Sequence, residues 1–465
     1  MSLTLTSVDA ARGHNLGRTP GTRSPGVRRG RLTCVVCALL LGPLATQAFA
    51  QRSAASLASN PTNLSSPALS ALTFSKAQEL LRESNHAIRI ARGGLNIATR
   101  EIARVDVSPN PVLNASIANT SARHYGYADS NRYLQVEQLF ERGSKRELRT
   151  KLAKLSQGAA ASDLSEITRQ QRAELAAAYY ALVASQQSLQ ISERNLAEHR
   201  KLLEAAQKRL SAGDLAAIEV SRLRVEVSRV ANDERSARQS LVDSRITLAA
   251  LLAAEPYADA LRAIDPLPPL DAASEVLDPP TLQKKTEKAL SGRADVRAAA
   301  QRVAALEQAL KLAQSLRTRD VTFGLHTERD PALGGNVFGL SVSIPLLLNN
   351  DFTGEILKAQ SETEQARHEL ERSRAIVRAD IDRARTRLED AHDRATRLAR
   401  EALPEAKRAV EAVEFAFGKG AGSLTDLFDA RRQYAAISNE AIAAHAQFAI
   451  EMTNLRLSLE TEESQ

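Results

Sequence analysis

Side chains that could ligate a metal or act as a nucleophile are sparse: the 465 residues include eight histidines and two cysteines. His86, His199, His368, His392 and His445 fall on helical stretches, His326 on a strand-like one, and His124 in a polar stretch beside Tyr125 and Tyr127. No two have the H-x-x-x-H or H-x-H spacing that aims imidazoles at one ion, so no metal site is expected. With no convergent His/acid motif and no βαβ pattern to form a cleft, neither a catalytic site nor a cofactor is expected. Charges beside two glycine-containing reversals are more informative. Asp214 and Glu219 follow Gly213, with Arg222 beyond; Asp426 and Asp429 follow Gly418, Gly420 and Gly422, with Arg431 beyond. The glycines supply the φ freedom that a tight reversal needs. The acids read either as ordinary i,i+3 and i,i+4 pairs on a solvated tip or as a field that gathers cations.

The formal charge of +7 points to nucleic acid only until it is located. Residues 1–50 hold six arginines against Asp9, which leaves 56 basic against 54 acidic residues in the remainder. Arg28–Arg31, the apolar run Leu32–Leu44 and Ala48-Phe49-Ala50 read as a secretory signal with a small-x-small cleavage site. Cys34 and Cys37 lie inside that leader, so no thiol chemistry, disulfide or lipid anchor is expected in the exported chain. Beyond residue 50 no run of 18 apolar residues occurs. A membrane would be entered as β-strands, whose signal per segment is weak.

The elements that position the tips repeat. An offset of 208 brings into register two helical patterns, roughly 73–107 and 281–317, in which Ile88 meets Val296, Leu95 meets Val303 and Ile102 meets Leu310. After each, the apolar period changes from 3.6 to 2. Leu113, Ala115 and Ile117 alternate with polar or small residues, as do Val321, Phe323 and Leu325. Second strands follow at Arg132–Phe140 and Asn336–Ile344, behind polar loops His124–Asn131 and Glu328–Gly335. Then come two very long helices, Lys145–Ser211 and Thr353–Lys419, which reverse at the glycines and return to about Ala254 and Leu459. At 1.5 Å per residue each is a rod of about 100 Å. Leu175, Ala178, Leu182, Leu189 and Leu196 line a coiled-coil seam, Pro404 predicts a kink, and Ser423 predicts a cap. The domains read as signal peptide 1–50, linker 51–71, first repeat 72–254, Pro-rich linker 255–280, second repeat 281–460 and tail 461–465.

The fold class is therefore mainly α, with internally duplicated long helical hairpins plus β-hairpins. Four short strands cannot close a barrel, and open sheet edges are not tolerated in lipid. Three chains would supply twelve strands and closure.

From Leu72-Thr73-Phe74 to about residue 460 this pattern resembles the TolC family of outer-membrane factors. The most specific stretches are Ser108-Pro109-Asn110-Pro111, Glu137-Gln138-Leu139-Phe140-Glu141-Arg142-Gly143-Ser144-Lys145-Arg146 and Ser343-Ile344-Pro345-Leu346, continuing through Asn349-Asn350-Asp351-Phe352-Thr353-Gly354-Glu355-Ile356. They are similar to the branch serving cobalt-zinc-cadmium and cobalt-nickel efflux. Where that family often has a second glycine, Ser144 stands here and can cap the rod. The resemblance implies a homotrimeric α/β-barrel duct in the outer membrane that extends into the periplasm. It also implies a periplasmic adaptor (membrane fusion protein) and an inner-membrane proton-driven transporter as partners, with divalent heavy-metal cations as the exported substrate. On it, the two reversals form the periplasmic mouth, where Asp214, Glu219, Asp426 and Asp429 could ring the entrance and bond to Arg222 and Arg431. Tyr125, Tyr127, Tyr133 and Phe338 become candidates for the membrane interface. A duct for organic drugs or type I protein secretion, and a periplasmic coiled-coil adaptor or scaffold, are the alternatives.

Overall fold

The computed structural model describes residues 70–119, 130–330 and 334–461. The expected signal peptide, most of the linker, the His124–Tyr127 stretch and the tail past Thr461 lie outside them.

The first repeat opens with α1 (Phe74–Ser84) and α2 (His86–Val105). The single helix expected over 73–107 is broken at Asn85, whose ψ of 130° is extended. Asn85 is buried: its Nδ2 donates to Gln171 Oε1 and to the Leu251 carbonyl at 2.9 Å, and its Oδ1 accepts from Ile88 N. Three bonds thus hold an N-cap in the middle of the apolar pattern. The second repeat breaks at the equivalent position, between α6 (Pro279–Gly292) and α7 (Ala294–Ser315), which follow the short α5 (Ala273–Val276). There Arg293 is 2% exposed and reaches Asp295 and Asp380. The predicted start at 281 moves to Pro279, because Asp278 caps a helix whose first residue is proline.

Strands β1 (Val112–Asn119), β2 (Ser130–Phe140), β3 (Val321–Asp330) and β4 (Gly335–Ser343) form one antiparallel sheet in that order. The rods are α3 (Lys145–Ser211) and α8 (Thr353–Arg397). Each rod starts on a residue with left-handed backbone, Ser144 at φ 55° and Phe352 at φ 59°. Ser144 makes no side-chain capping bond, so it is not the cap expected of it. The left-handed turn explains why a glycine would suit the position. Beside it Lys145 is buried, with Nζ 2.8 Å from Asp320 and from the Thr318 carbonyl, and fixes the rod to the root of β3.

Return helices α4 (Ala217–Leu251) and α10 (Leu424–Ser458) complete the hairpins, and Ser423 caps α10 through Asp426 N as expected. At Pro404, where a local kink is expected, the second rod has a π-helical turn, Leu398–Ala402, before α9 (Leu403–Gly418). Leu403 N bonds Leu398 O, five residues back. Widening the turn accommodates the ring and the donor that Pro404 lacks.

Each repeat has its own core. Leu81, Ile88, Leu175, Tyr179, Leu182 and Leu248 form the first; Val296, Val377, Ile381, Leu388, Phe448 and Leu455 form the second. Helix α10 serves both, with Ala446 and Ala449 in one and Phe448 and Met452 in the other. The Pro-rich linker is a small mid-body structure. Two 3-10 turns frame a bridge between Leu72 and Ala263, and Tyr179 Oη donates to the Leu72 carbonyl at 2.9 Å.

Ser144→Gly is expected to raise stability by about 1 kcal/mol, the cost of a left-handed non-glycine residue. Ser144→Ala is expected to leave it within about 0.5 kcal/mol, since no cap is lost. Guanidinium melts of the detergent-extracted chain check both; a loss of about 1 kcal/mol in Ser144→Ala would restore the capping role.

Candidate functional site

The helical tips are built alike. Gly213 (φ +83°) and Gly420 (φ +80°) are the left-handed residues of the two reversals, and an offset of 207 relates them. In each, the amide after the glycine bonds five residues back, Asp214 N to Arg209 O and Ala421 N to Ala416 O, both at 2.9 Å. That is a Schellman closure. Gly422 is held by close approach instead: a Cβ there would lie 3.0 Å from Phe417 N. Gly418 needs neither, being helical and facing open space, so its expected role in the turn is not seen.

The tip charges partner differently from the simple pairing of acids with Arg222 and Arg431. Among the described residues, Asp214, Glu219, Arg222 and Asp426 make no ion pair. Arg431 bonds Glu414 at 2.7 Å, within its own hairpin. Asp429 meets Arg432 at 3.5 Å, and Arg432 also reaches Glu226 at 3.5 Å on the other hairpin. Buried Glu226 is held by Arg229 at 2.6 Å, which also takes Asp233 at 3.0 Å. A belt of five charged residues therefore joins α4 to α10 one turn or more above the glycines. Sequence reading missed Glu226, Arg229 and Arg432; only the Glu226/Arg229 and Asp429/Arg432 spacings of three signalled them. The Arg229 hydrogen bonds hold the Glu226 carboxyl below its ordinary range against the opposing effect of burial.

His199, on α3, is 1% exposed beneath this belt. Its ring stacks on Phe428 of α10 at 6.3 Å, and Nδ1 lies 2.8 Å from the Asn195 carbonyl. Burial lowers its pKa, and the nearby Arg431 and Arg229 act the same way, against Asn195 and Glu226.

The sheet divides chemically by face. Ladder partners share a face, so Leu113, Val136, Leu325 and Leu340 form one apolar row across all four strands. Leu134 and Phe338 continue it on one side; Phe323 and Val342 do so on the other. These side chains are exposed, Leu340 by 81% and Phe338 by 75%. The opposite face carries Asn114, Tyr133, Gln135, Glu137, His326, Glu328 and Ser341. There Gln135 Nε2 bonds Glu137 at 2.8 Å and Ser341 at 3.0 Å, and Tyr133 stacks on His326 at 5.4 Å. Gly324 and Gly339 give them room: a Cβ on either would strike Gln135 and Ser341 or the His326 ring. Tyr133 thus belongs to the polar face and Phe338 to the apolar one. Among the described residues no group of three or more His, Cys, Asp or Glu is gathered for a metal, and no helix is long and apolar enough to cross a membrane.

Sheet and paired rods together match the folds of solved outer-membrane channels. The fold matches the outer-membrane channel OprN with a TM-score of 0.68 and 17% identity, over 84% of this chain and 91% of that one. It matches the outer membrane protein VceC of Vibrio cholerae at 0.66 and 16%, over 83% and 96%. Residues 286–460, nearly all of the second repeat, match the family described as outer membrane efflux protein. The second repeat is thus similar to outer membrane efflux proteins, and the chain has the fold of outer-membrane channels, conduits rather than enzymes. Over 363 residues the chain is also 25% identical to the cobalt-zinc-cadmium resistance protein CzcC of Cupriavidus metallidurans, covering 78% of this chain and 83% of the relative.

Because the folded pKa of His199 lies below the ordinary 6.5, neutral His199 contributes stability that is complete above about pH 6.5 and is lost as pH falls through the folded value. The Glu226 contribution holds until pH falls below the ordinary 4.5. Hydrogen-exchange protection at residues 195–206 and 424–432, relative to the intrinsic rate at each pH, is expected to fall between pH 7.5 and 5.5, and His199→Phe, which keeps the stack, is expected to flatten that dependence. An unchanged pH profile in His199→Phe would assign the acid sensitivity elsewhere.

Proposed function

We propose that this channel is the exit duct of a tripartite efflux pump and passes divalent heavy-metal cations out of a Gram-negative cell. The observation that carries the substrate is the 25% identity to a cobalt-zinc-cadmium resistance protein over most of both chains. Three copies form the duct, their twelve strands closing one barrel whose apolar face meets outer-membrane lipid and whose polar face lines the lumen. A periplasmic adaptor and an inner-membrane proton-driven transporter complete the pump, and no nucleic acid is involved. The chemistry suits throughput. Glu137 and Glu328 on the polar face offer single carboxylates, which attract cations without assembling the ligand set that would trap them.

In this reading the helical tips are the periplasmic mouth. The free carboxylates of Asp214, Glu219 and Asp426, repeated threefold, raise the local cation concentration there. The Glu226–Arg432 contact holds the second hairpin against the first and keeps the mouth narrow, with Asp429 and Arg229 setting its partners. Arg432→Ala is expected to raise single-channel conductance in planar bilayers several-fold, and Glu226→Gln to raise it less. Unchanged conductance in both would leave the belt a structural staple only.

Deleting the gene is expected to raise cellular zinc, cadmium, cobalt or nickel on metal challenge, with complementation restoring the wild-type level. Accumulation of organic toxicants with no change in any metal would contradict the metal reading and leave the duct.

A further inference from the structure

His199 is a buried titratable group that the conduction of cations leaves unused. It lies on α3, about 20 Å of helix above the Gly213 reversal. Its ring stacks on Phe428 of α10 at 6.3 Å, with the planes 27° apart, so the contact joins the first hairpin to the second. Higher up, Ser188 Oγ donates to Asn439 Oδ1 at 2.8 Å between the same two helices. Below that bond the hairpins meet through Arg432–Glu226 and a small core of Ala206, Val220, Leu223 and Phe428. Of those four buried residues only Phe428 comes from the second hairpin. The stack therefore holds the one large side chain that the second hairpin buries near the mouth.

The surroundings suit a neutral ring and oppose a charged one. From α10, Arg431 acts on it. Arg431 Nε and Nη2 donate to Glu414 of α9, while Nη1 is buried with no partner among the described residues. From α4 come Glu226 and Arg229, and Arg432 of α10 draws on the same Glu226. One carboxylate is thus already shared by two arginines. On α3 itself Glu198, Arg200 and Lys201 are exposed, and Nδ1 lies against the Asn195 carbonyl. At the offset of 207 the two stacked positions become Ala406 and Ser221. The titratable contact therefore belongs to the joint between the two hairpins of one chain and has no copy in the repeat.

We propose that His199 is a proton-operated latch on the mouth. Neutral, it clamps Phe428 and holds the second hairpin against the first; protonated, it leaves the space between Arg431 and Arg229 for water and frees α10. The mouth then widens as the periplasm turns acidic. This rests on the duct reading and adds to it the condition under which the mouth opens. The direction follows from burial, which with Arg431 and Arg229 holds the folded pKa below the ordinary 6.5. In the open state the ring meets water and regains that ordinary value, so the open state binds the proton better. Closure is therefore fully favoured above about pH 6.5 and loses ground as pH falls through the folded value. An acidic periplasm also gives a proton-driven transporter its larger inward gradient, so the mouth opens when the pump is best driven.

The test is single-channel conductance of the full chain, extracted from outer membranes into planar bilayers, with the solution on the tip side brought from pH 7.5 to 5.5. The unsubstituted chain is expected to rise about fivefold, inside the roughly tenfold per pH unit that one proton allows. His199→Phe keeps the stack but cannot titrate, and is expected to stay at its pH 7.5 level. Phe428→Ala removes the stack, and is expected to conduct at pH 7.5 as the unsubstituted chain does at 5.5. Glu226 does not enter, since its contribution holds until pH falls below 4.5. An acid rise in His199→Phe equal to that of the unsubstituted chain overturns the latch. So does a flat profile in the unsubstituted chain, or a Phe428→Ala channel that stays low at pH 7.5, and in each case the duct stands. A chain that inserts and conducts at no pH overturns the duct reading and the latch with it.

Discussion

The structure depends on where backbone hydrogen bonds can end. A four-stranded sheet has two open edges, and its apolar face, with Phe338, Leu340 and Val342 exposed, forbids leaving those edges in water-free surroundings. The strands can be stable in lipid only if β4 finds β1. Much else serves that end. Buried Lys145, bonded to Asp320, fixes the angle at which the first rod leaves the sheet, and left-handed turns at Ser144 and Phe352 do so in both repeats.

Duplication lets one solution be used twice, and the points of departure carry specialisation. The helix breaks at Asn85 and Arg293 are the same device in two chemistries: a neutral amide that caps and an arginine that ties two carboxylates. Both are buried, and both join elements far apart in sequence, α4 in one case and α8 in the other. The π-turn before Pro404 has no counterpart in the first rod, which runs unbroken from Lys145 to Ser211. The tip belt also breaks the symmetry, since Glu226 of the first hairpin is answered by Arg432 of the second. The two hairpins are therefore held to each other by unlike contacts, with His199 packed beneath.

Much of this was legible in the sequence, for identifiable reasons. Period changes from 3.6 to 2 located all four strands, because a sheet apolar on one face and polar on the other forces alternation. Gly213 and Gly420 were legible because a left-handed residue was needed, whereas Gly418 only looked like them by proximity. Asn85 and Arg293 were not legible, since their local bonds to Ile88 N and Asp295 are joined by partners 80 or more residues away that no local pattern contains. Strand parity, not aromatic content, puts Tyr133 beside His326. At the tips, acids near the turn drew notice while the buried pair Glu226–Arg229 did not. Burial of a charge is a tertiary fact, and its spacing of three is shared by ordinary surface pairs.

The measurement that most directly tests the account is electron cryomicroscopy of the full chain extracted from outer membranes. The account predicts three copies around one axis, twelve strands in a single closed barrel with β4 beside β1 of the neighbour, and the rods forming a continuous tunnel below. A particle in which the four-stranded sheet stays open, or in which the copies meet through the rods while the strands remain apart, would contradict it.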